Sequence, residues 1–169
     1  MKNTIFKFGI YGLLTATVLF LSALSFGGDL SFGAQEIIGY STMVLSLSFI
    51  FFGIKHYRDN VNNGVVSFGK AFLIGLLIAI LVGIGIGVAD YIYTTVINPN
   101  FATDYLDKSL KTLQETLTPE AYEIKKAELT QQMQDYGSSS FMAFLMFATV
   151  VMIGVVISII SAFILQRKK

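Results

Sequence analysis

Very few residues in this chain have the chemistry to act on another molecule. Asp90, within GIGVADYIYTT, is an acid set in an otherwise apolar stretch. Charge is costly inside a membrane, so such a residue is a candidate for handling an ion, a proton or a ligand, or else an acid seated at the interface. Lys55, His56, Arg58 and Lys70 fall close together in FFGIKHYRDNVNNGVVSFGKAFLIG. That basic group suits anionic lipid headgroups, or it serves only to fix orientation in a bilayer. Cysteine is absent and His56 is the sole histidine, which removes thiolate chemistry and most histidine metal sites. The glycines of GIGIGVAD lie inside an apolar run rather than at a strand-to-helix turn, so they do not form a phosphate-binding loop. No nucleophile has an evident base beside it. The chain is therefore expected not to be an enzyme, with no catalytic residue, cofactor or metal. Twelve Lys and Arg against eleven Asp and Glu leave no field that would draw nucleic acid.

The elements that carry these residues follow from hydropathy. With 54% hydrophobic and 14% charged residues, the composition belongs in lipid. A helix needs about 20 mostly apolar residues to cross a hydrocarbon core of about 30 Å. Four gaps between charges are long enough, at residues 8–28, 37–54, 71–89 and 136–166. They predict helical spans of about 6–27, 36–56, 70–96 and 138–166 in one transmembrane domain covering 1–169. The runs are too continuously apolar for barrel strands. The first run, with Lys2 and Lys7 before it and small residues near Ala23 and Ser25, also has the form of a secretory signal. Its length, and the spacing of Gly9, Gly12 and Ala16, favour a retained helix.

Short loops rich in Lys and Arg stay on the cytoplasmic side. The basic loop, the N-terminus with Lys2 and Lys7, and the terminal Arg167, Lys168 and Lys169 are accordingly expected inside. Asp29 and Glu36 mark the first loop as external. So do seven acids against four lysines in the long loop at about 98–137. Tyr11 and Tyr57 fall at inner ends of spans, and Tyr40, Tyr91, Tyr93 and Tyr136 at outer ends, as in interfacial aromatic belts.

Helices in lipid associate by close packing, which small residues four apart permit. Ala71, Gly75, Ala79, Gly83 and Gly87 form such a ridge on the third span, and Gly154, Ser158 and Ala162 a matching one on the fourth. Those two helices are expected to pack closely. Ser41, Thr42, Ser46, Ser48, Ser158 and Ser161 are expected to bond across helices or back onto their own carbonyls. Asn62-Asn63-Gly64 predicts a turn and Ser67 a helix cap. In the long loop, Leu106, Leu110, Leu113 and Leu117 trace one helical face, and Asn98-Pro99 marks the break before it. Thr118-Pro119-Glu120 starts a second helix, with Tyr122, Leu129, Met133 and Tyr136 along a stripe. The predicted fold is all-α, an integral membrane four-helix bundle with an extracytoplasmic amphipathic helical insertion between helices 3 and 4. Asp90, twenty residues after Lys70 at about 1.5 Å each, should reach the outer interface.

The pattern GIK-x-YRD-x4-G-x-x-SF-x-x-A over residues 53–71, then the glycine-rich span, DYIY, NPNF and an acidic helical loop with TPEAYE, resembles the bacterial membrane family designated domain of unknown function 4199. The resemblance covers essentially the whole chain. It implies a small four-helix protein of the cytoplasmic membrane of Gram-negative bacteria, with no catalytic residues to carry over. The resemblance also implies a gene neighbourhood with family-2 glycosyltransferases of the lipid-linked sugar type, which would suit an accessory membrane subunit. Two functions are expected from these features. One is a non-catalytic scaffold or accessory subunit in the bilayer, bound to a membrane protein or to copies of itself. The other is a small transporter, channel or lipid-handling protein that uses Asp90.

Overall fold

A computed structural model describes residues 1–27 and 30–167. Asp29, Lys168 and Lys169, invoked above for orientation, lie outside the described residues. The described chain is helical, with six α-helices: α1 (Lys2–Phe26), α2 (Phe32–His56), α3 (Phe68–Ile92), α4 (Phe101–Thr116), α5 (Pro119–Tyr136) and α6 (Ser139–Leu165). Four continuous helical stretches, Lys2–Phe26, Gly33–Val61, Phe68–Ile97 and Ser139–Leu165, are long and apolar enough to cross a membrane.

These stretches match the four predicted runs, but their ends differ. The first helix begins at Lys2 rather than near residue 6, and the second runs on past Lys55 and His56 to Val61. Spacing between charges measures a passage through lipid; a helix in water tolerates Lys and Arg and need not stop there. Beyond α2 and α3 the chain continues as π-helical turns, Tyr57–Val61 and Tyr93–Ile97. They are closed by Asn62 N–H to Tyr57 O at 2.9 Å and Asn98 N–H to Tyr93 O at 2.7 Å. Single π-helical turns of this kind gather at functional places in helices.

The starts of the helices follow capping chemistry. Ser31, Thr118 and Ser138 each accept from a backbone N–H three residues on, at 3.4 Å. Pro119 takes the first helical position of α5. Ser67 occupies the cap position of α3 in extended conformation, yet its hydroxyl makes no cap bond. The turn predicted at Asn62-Asn63-Gly64 is present, with Asn63 at φ 52° and Gly64 at φ 80°.

α3 sits at the centre, against α1, α2 and α6, and its most extensive contact is with α6. The two small-residue ridges meet there, running antiparallel. A β-carbon on Gly75 would meet Ser158, one on Gly154 would meet Ala79, and one on Gly87 would come within 3.1 Å of Ala143 O. Gly83 faces Phe147 and Val151. Ala71 and Ala162 are fully enclosed. α1 lies on another face of α3 and runs parallel to it, Gly9 facing Leu81 and Gly85 facing Leu13 and Thr17. The Thr17 hydroxyl donates to Gly85 O at 3.3 Å. Leu47, Ile50, Ile54, Ile74, Ile78 and Val82 fill the space between the helices. Backbones approach this closely only because no side chain intervenes, which is how packing can hold helices together without a hydrophobic drive between them.

The hydroxyls divide. Ser158 donates back to Gly154 O at 2.6 Å and Ser48 to Leu45 O at 2.6 Å. Ser46 is fully buried and its Oγ has no partner, contrary to the expectation that each hydroxyl would be satisfied.

Candidate functional site: a cavity over Asp90

Asp90 is carried by the last turn of α3 before the π-helical turn, three residues beyond Gly87 on the side that faces α6. It is 3% exposed, and its Oδ2 has no hydrogen-bond partner. The sequence estimate of depth placed this acid at the outer interface and said nothing of cover; the fold covers it. The cover is α4 and α5. Asp90 lies in the floor of a cavity of about 630 Å³, roofed by Phe101, Tyr105 and Leu113 of α4 and Leu129 of α5. Phe20 and Leu24 of α1 and Met142 and Met146 of α6 supply apolar walls, and Gln35 and Glu36 of α2 add polar groups. The volume and the lining, apolar with a few convergent polar groups, are those of small-molecule sites.

Two further cavities share its walls. One of about 490 Å³ also uses Phe101, Tyr105, Met142 and Met146, and extends between α5 and α6 past Met133 to Leu145. Leu145 is 45% exposed. The other, of about 250 Å³, lies toward α1 and α2 and takes in Asp104 and Lys108, whose ammonium donates to Leu30 O at 3.3 Å.

The backbone around the cavity is held by contacts between distant residues. Tyr93 OH donates to Leu24 O at 3.2 Å, and Ser139 Oγ to Thr94 O at 3.4 Å. Thr94 Oγ1 donates to Asp90 O at 2.9 Å within its own helix. Tyr93 therefore does not belong to an exposed aromatic belt; it is 9% exposed. Tyr57 at the other end is 6% exposed, while Tyr11, Tyr40, Tyr91 and Tyr136 do face outward. Both buried tyrosines begin π-helical turns.

The insertion also differs in part from the predicted stripes. Leu106, Leu110, Leu113 and Leu117 are the half-buried face of α4, against α5. On α5, Leu129, Met133 and Tyr136 line cavities, Tyr136 packing on Phe141 as well, but Tyr122 lies under Lys126. Among the described residues, neither α4 nor α5 has a fully buried side chain.

The basic group serves a different purpose from the cavity. Arg58 is half-buried: Nη1 donates to Leu165 O at 3.3 Å, while Nε and Nη2 pair with Asp59 at 2.6 and 3.0 Å. A cation on the last carbonyls of α6 is favoured by the helix dipole. Beside it, Val66 and Arg167 exchange backbone bonds at 3.1 and 2.9 Å. Lys55 and Lys70 remain exposed. Sequence reasoning missed the capping by Arg58 because its partner is 107 residues away. His56 stacks obliquely on Phe8, ring centres 5.2 Å apart, with Nδ1 buried and unpartnered. Among the described residues, no group of three or more His, Cys, Asp or Glu could hold a metal ion.

No match was found among curated proteins or among solved structures. A family model, described as protein of unknown function (DUF4199), matches residues 7–167, from the first turns of α1 to Arg167 beside Val66. The chain belongs to that family.

Proposed function

We propose that the chain is a non-catalytic multi-pass protein of the bacterial cytoplasmic membrane that works as an accessory subunit. In this reading α1, α2, α3 and α6 form a transmembrane four-helix bundle, and α4 and α5 an extracytoplasmic insertion. The observation that carries it is the distribution of charge over the fold. Lys2, Lys7, Lys55, Arg58, Lys70 and Arg167 gather at one end of the long helices, with Asp59 the single acid there among the described residues. Their ends are joined by the Arg58–Leu165 and Val66–Arg167 contacts. Glu36, Asp90 and the acids of α4 and α5 lie at the other end. Basic ends stay in the cytoplasm, so both termini and the Lys55–Lys70 connection are inside.

An accessory role suits the insertion. α4 and α5 carry seven acids and four lysines, bury no side chain fully, and leave Ile124 62% exposed, which is a surface for a partner. A family-2 glycosyltransferase is the partner to seek first, on the family resemblance; a second copy of the chain is the next.

The chain has no cysteine, so Asn62→Cys and Ile124→Cys report sidedness cleanly. In intact cells an impermeant maleimide should label position 124 and spare 62; the reverse pattern would overturn the orientation. Crosslinking in native membranes followed by mass spectrometry should give one stoichiometric neighbour. A protein that always emerges alone would defeat the accessory role. The second reading, a small transporter, channel or lipid-handling protein, is favoured by the cavity over Asp90.

A further inference from the structure

The geometry points to a binding site for a lipid with a primary amine headgroup, the amine on Asp90 and an acyl chain in the groove between α5 and α6. This deepens the lipid-handling reading and rests on the long helices lying in a bilayer. Three independent features of the outer end support it.

The first is the unpartnered acid. Asp90 is 3% exposed, its Oδ2 meets no donor in the protein, and the residue lines the 630 Å³ cavity. A buried carboxylate oxygen without a donor is costly, and the cost is relieved when a ligand brings one. The second is the sign of the lining. Asp90 and Glu36 both line the 630 Å³ cavity, and no Lys or Arg does among the described residues. Lys108 and Asp104 line the smaller neighbouring cavity instead. Such a floor disfavours a head whose terminal group is anionic and accepts a terminal protonated amine, which keeps the phosphodiester of its lipid away from the carboxylate and whose N–H bonds to it are of the stronger, charge-assisted kind. A quaternary ammonium has no N–H to give.

The third is the shape. The cavity adjoins the 490 Å³ groove across four residues that line both, Phe101, Tyr105, Met142 and Met146, and the groove runs on to the exposed Leu145 on the outward side of α6. Flexible methionines on one wall adapt to an alkyl chain. The depth agrees: twenty residues beyond Lys70, about 30 Å along α3, is where headgroups of the outer leaflet lie. Ser109 and Thr112 of α4 complete the polar side of the cavity.

The test uses the purified full-length chain, delipidated in detergent, with lipid binding followed by native mass spectrometry. Short-chain phosphatidylethanolamine should bind at least about tenfold more tightly than the matching phosphatidylcholine or phosphatidylglycerol, and Asp90→Asn should remove that preference. Leu145→Trp, at a residue that lines the groove but not the cavity over Asp90, should weaken the lipid. Free ethanolamine at equal concentration decides the source of the amine. Weaker binding than the lipid assigns the site to lipid, and equal binding assigns it to a soluble amine on the same carboxylate. Equal binding of all three lipids, an unaltered preference in Asp90→Asn with the wild-type melting curve, or equal protection by sodium ions would overturn the proposal. Because the titration is blind to orientation and to partners, its failure leaves the accessory role standing, and the failure of crosslinking leaves this site standing.

Discussion

The two ends of the long helices solve one problem in opposite ways. At each end a helix runs past its apolar length into a π-helical turn opened by a buried tyrosine, Tyr57 at one end and Tyr93 at the other. At the basic end the chain turns back at once through Asn63 and Gly64, and the open groups are consumed: Arg58 bonds Leu165 O, and Val66 and Arg167 pair. Asn62 is satisfied too, accepting from Tyr57 OH and donating to Val65 O at 2.7 Å. At the acidic end the chain departs instead into α4 and α5, which cover the helix ends without filling the space beneath them. The closed end spends most of its polar groups on itself, His56 Nδ1 excepted, while the covered end keeps the Asp90 carboxylate unspent beside a cavity. A fold that needed only stability would have no reason to differ in this way, because an apolar residue in place of Asp90 would remove a burial cost.

The contrast can be broken experimentally, and the largest effect lies between the two ends, where both depend on the α3–α6 contact. Gly154→Leu forces atoms into Ala79 and Leu47 and should cost about 3 kcal/mol in detergent thermal unfolding. Gly39→Leu, with nothing within 4 Å of the new β-carbon, should stay within about 0.5 kcal/mol of wild type. Equal losses would mean the ridges do not carry the packing.

Asp90→Leu should raise the stability of the lipid-free protein by about 2 kcal/mol, since it removes a buried carboxylate oxygen that has no donor. A drop in melting temperature of that size would show that the acid is already paired, and the distinction between the ends would vanish.

At the closed end, Arg58→Met should cost about 1 kcal/mol by uncovering the last carbonyls of α6. Lys55→Met, at an exposed side chain, should be close to neutral by the same assay. If both are neutral, the closed end is held by backbone pairing alone. Gly64→Ala, at φ 80°, should cost a similar amount or slightly less, about 1 kcal/mol, with no change in lipid binding. Asn63→Gly at φ 52° should cost nothing measurable, because glycine accepts that conformation.

How much of this could be read in advance varies with how far apart the cooperating residues lie. The helical lengths and the α3–α6 ridge depend on composition and on four-residue spacing, both visible within one segment. The same holds for the turn at Asn62–Gly64 and the cap at Thr118. The buried tyrosines could not be told from belt tyrosines, because both kinds sit at helix ends and the burial of Tyr57 and Tyr93 depends on neighbours remote in the chain. The cap by Arg58 depends on a carbonyl at the far terminus, and no local pattern announces it. For Asp90 the place near the end of its helix was legible, and its seclusion was not.

The sequence by itself determined that four stretches would be helical and apolar enough for a membrane, that α3 and α6 would meet along small residues, and that cations would collect at one end. Those properties are sums or periodicities over neighbouring residues. Only the tertiary structure decided that α4 and α5 would come to rest over Asp90, leaving an acid floor and an apolar groove. That outcome depends on where a separate pair of helices lands, and hence on contacts among residues that have no proximity in the chain.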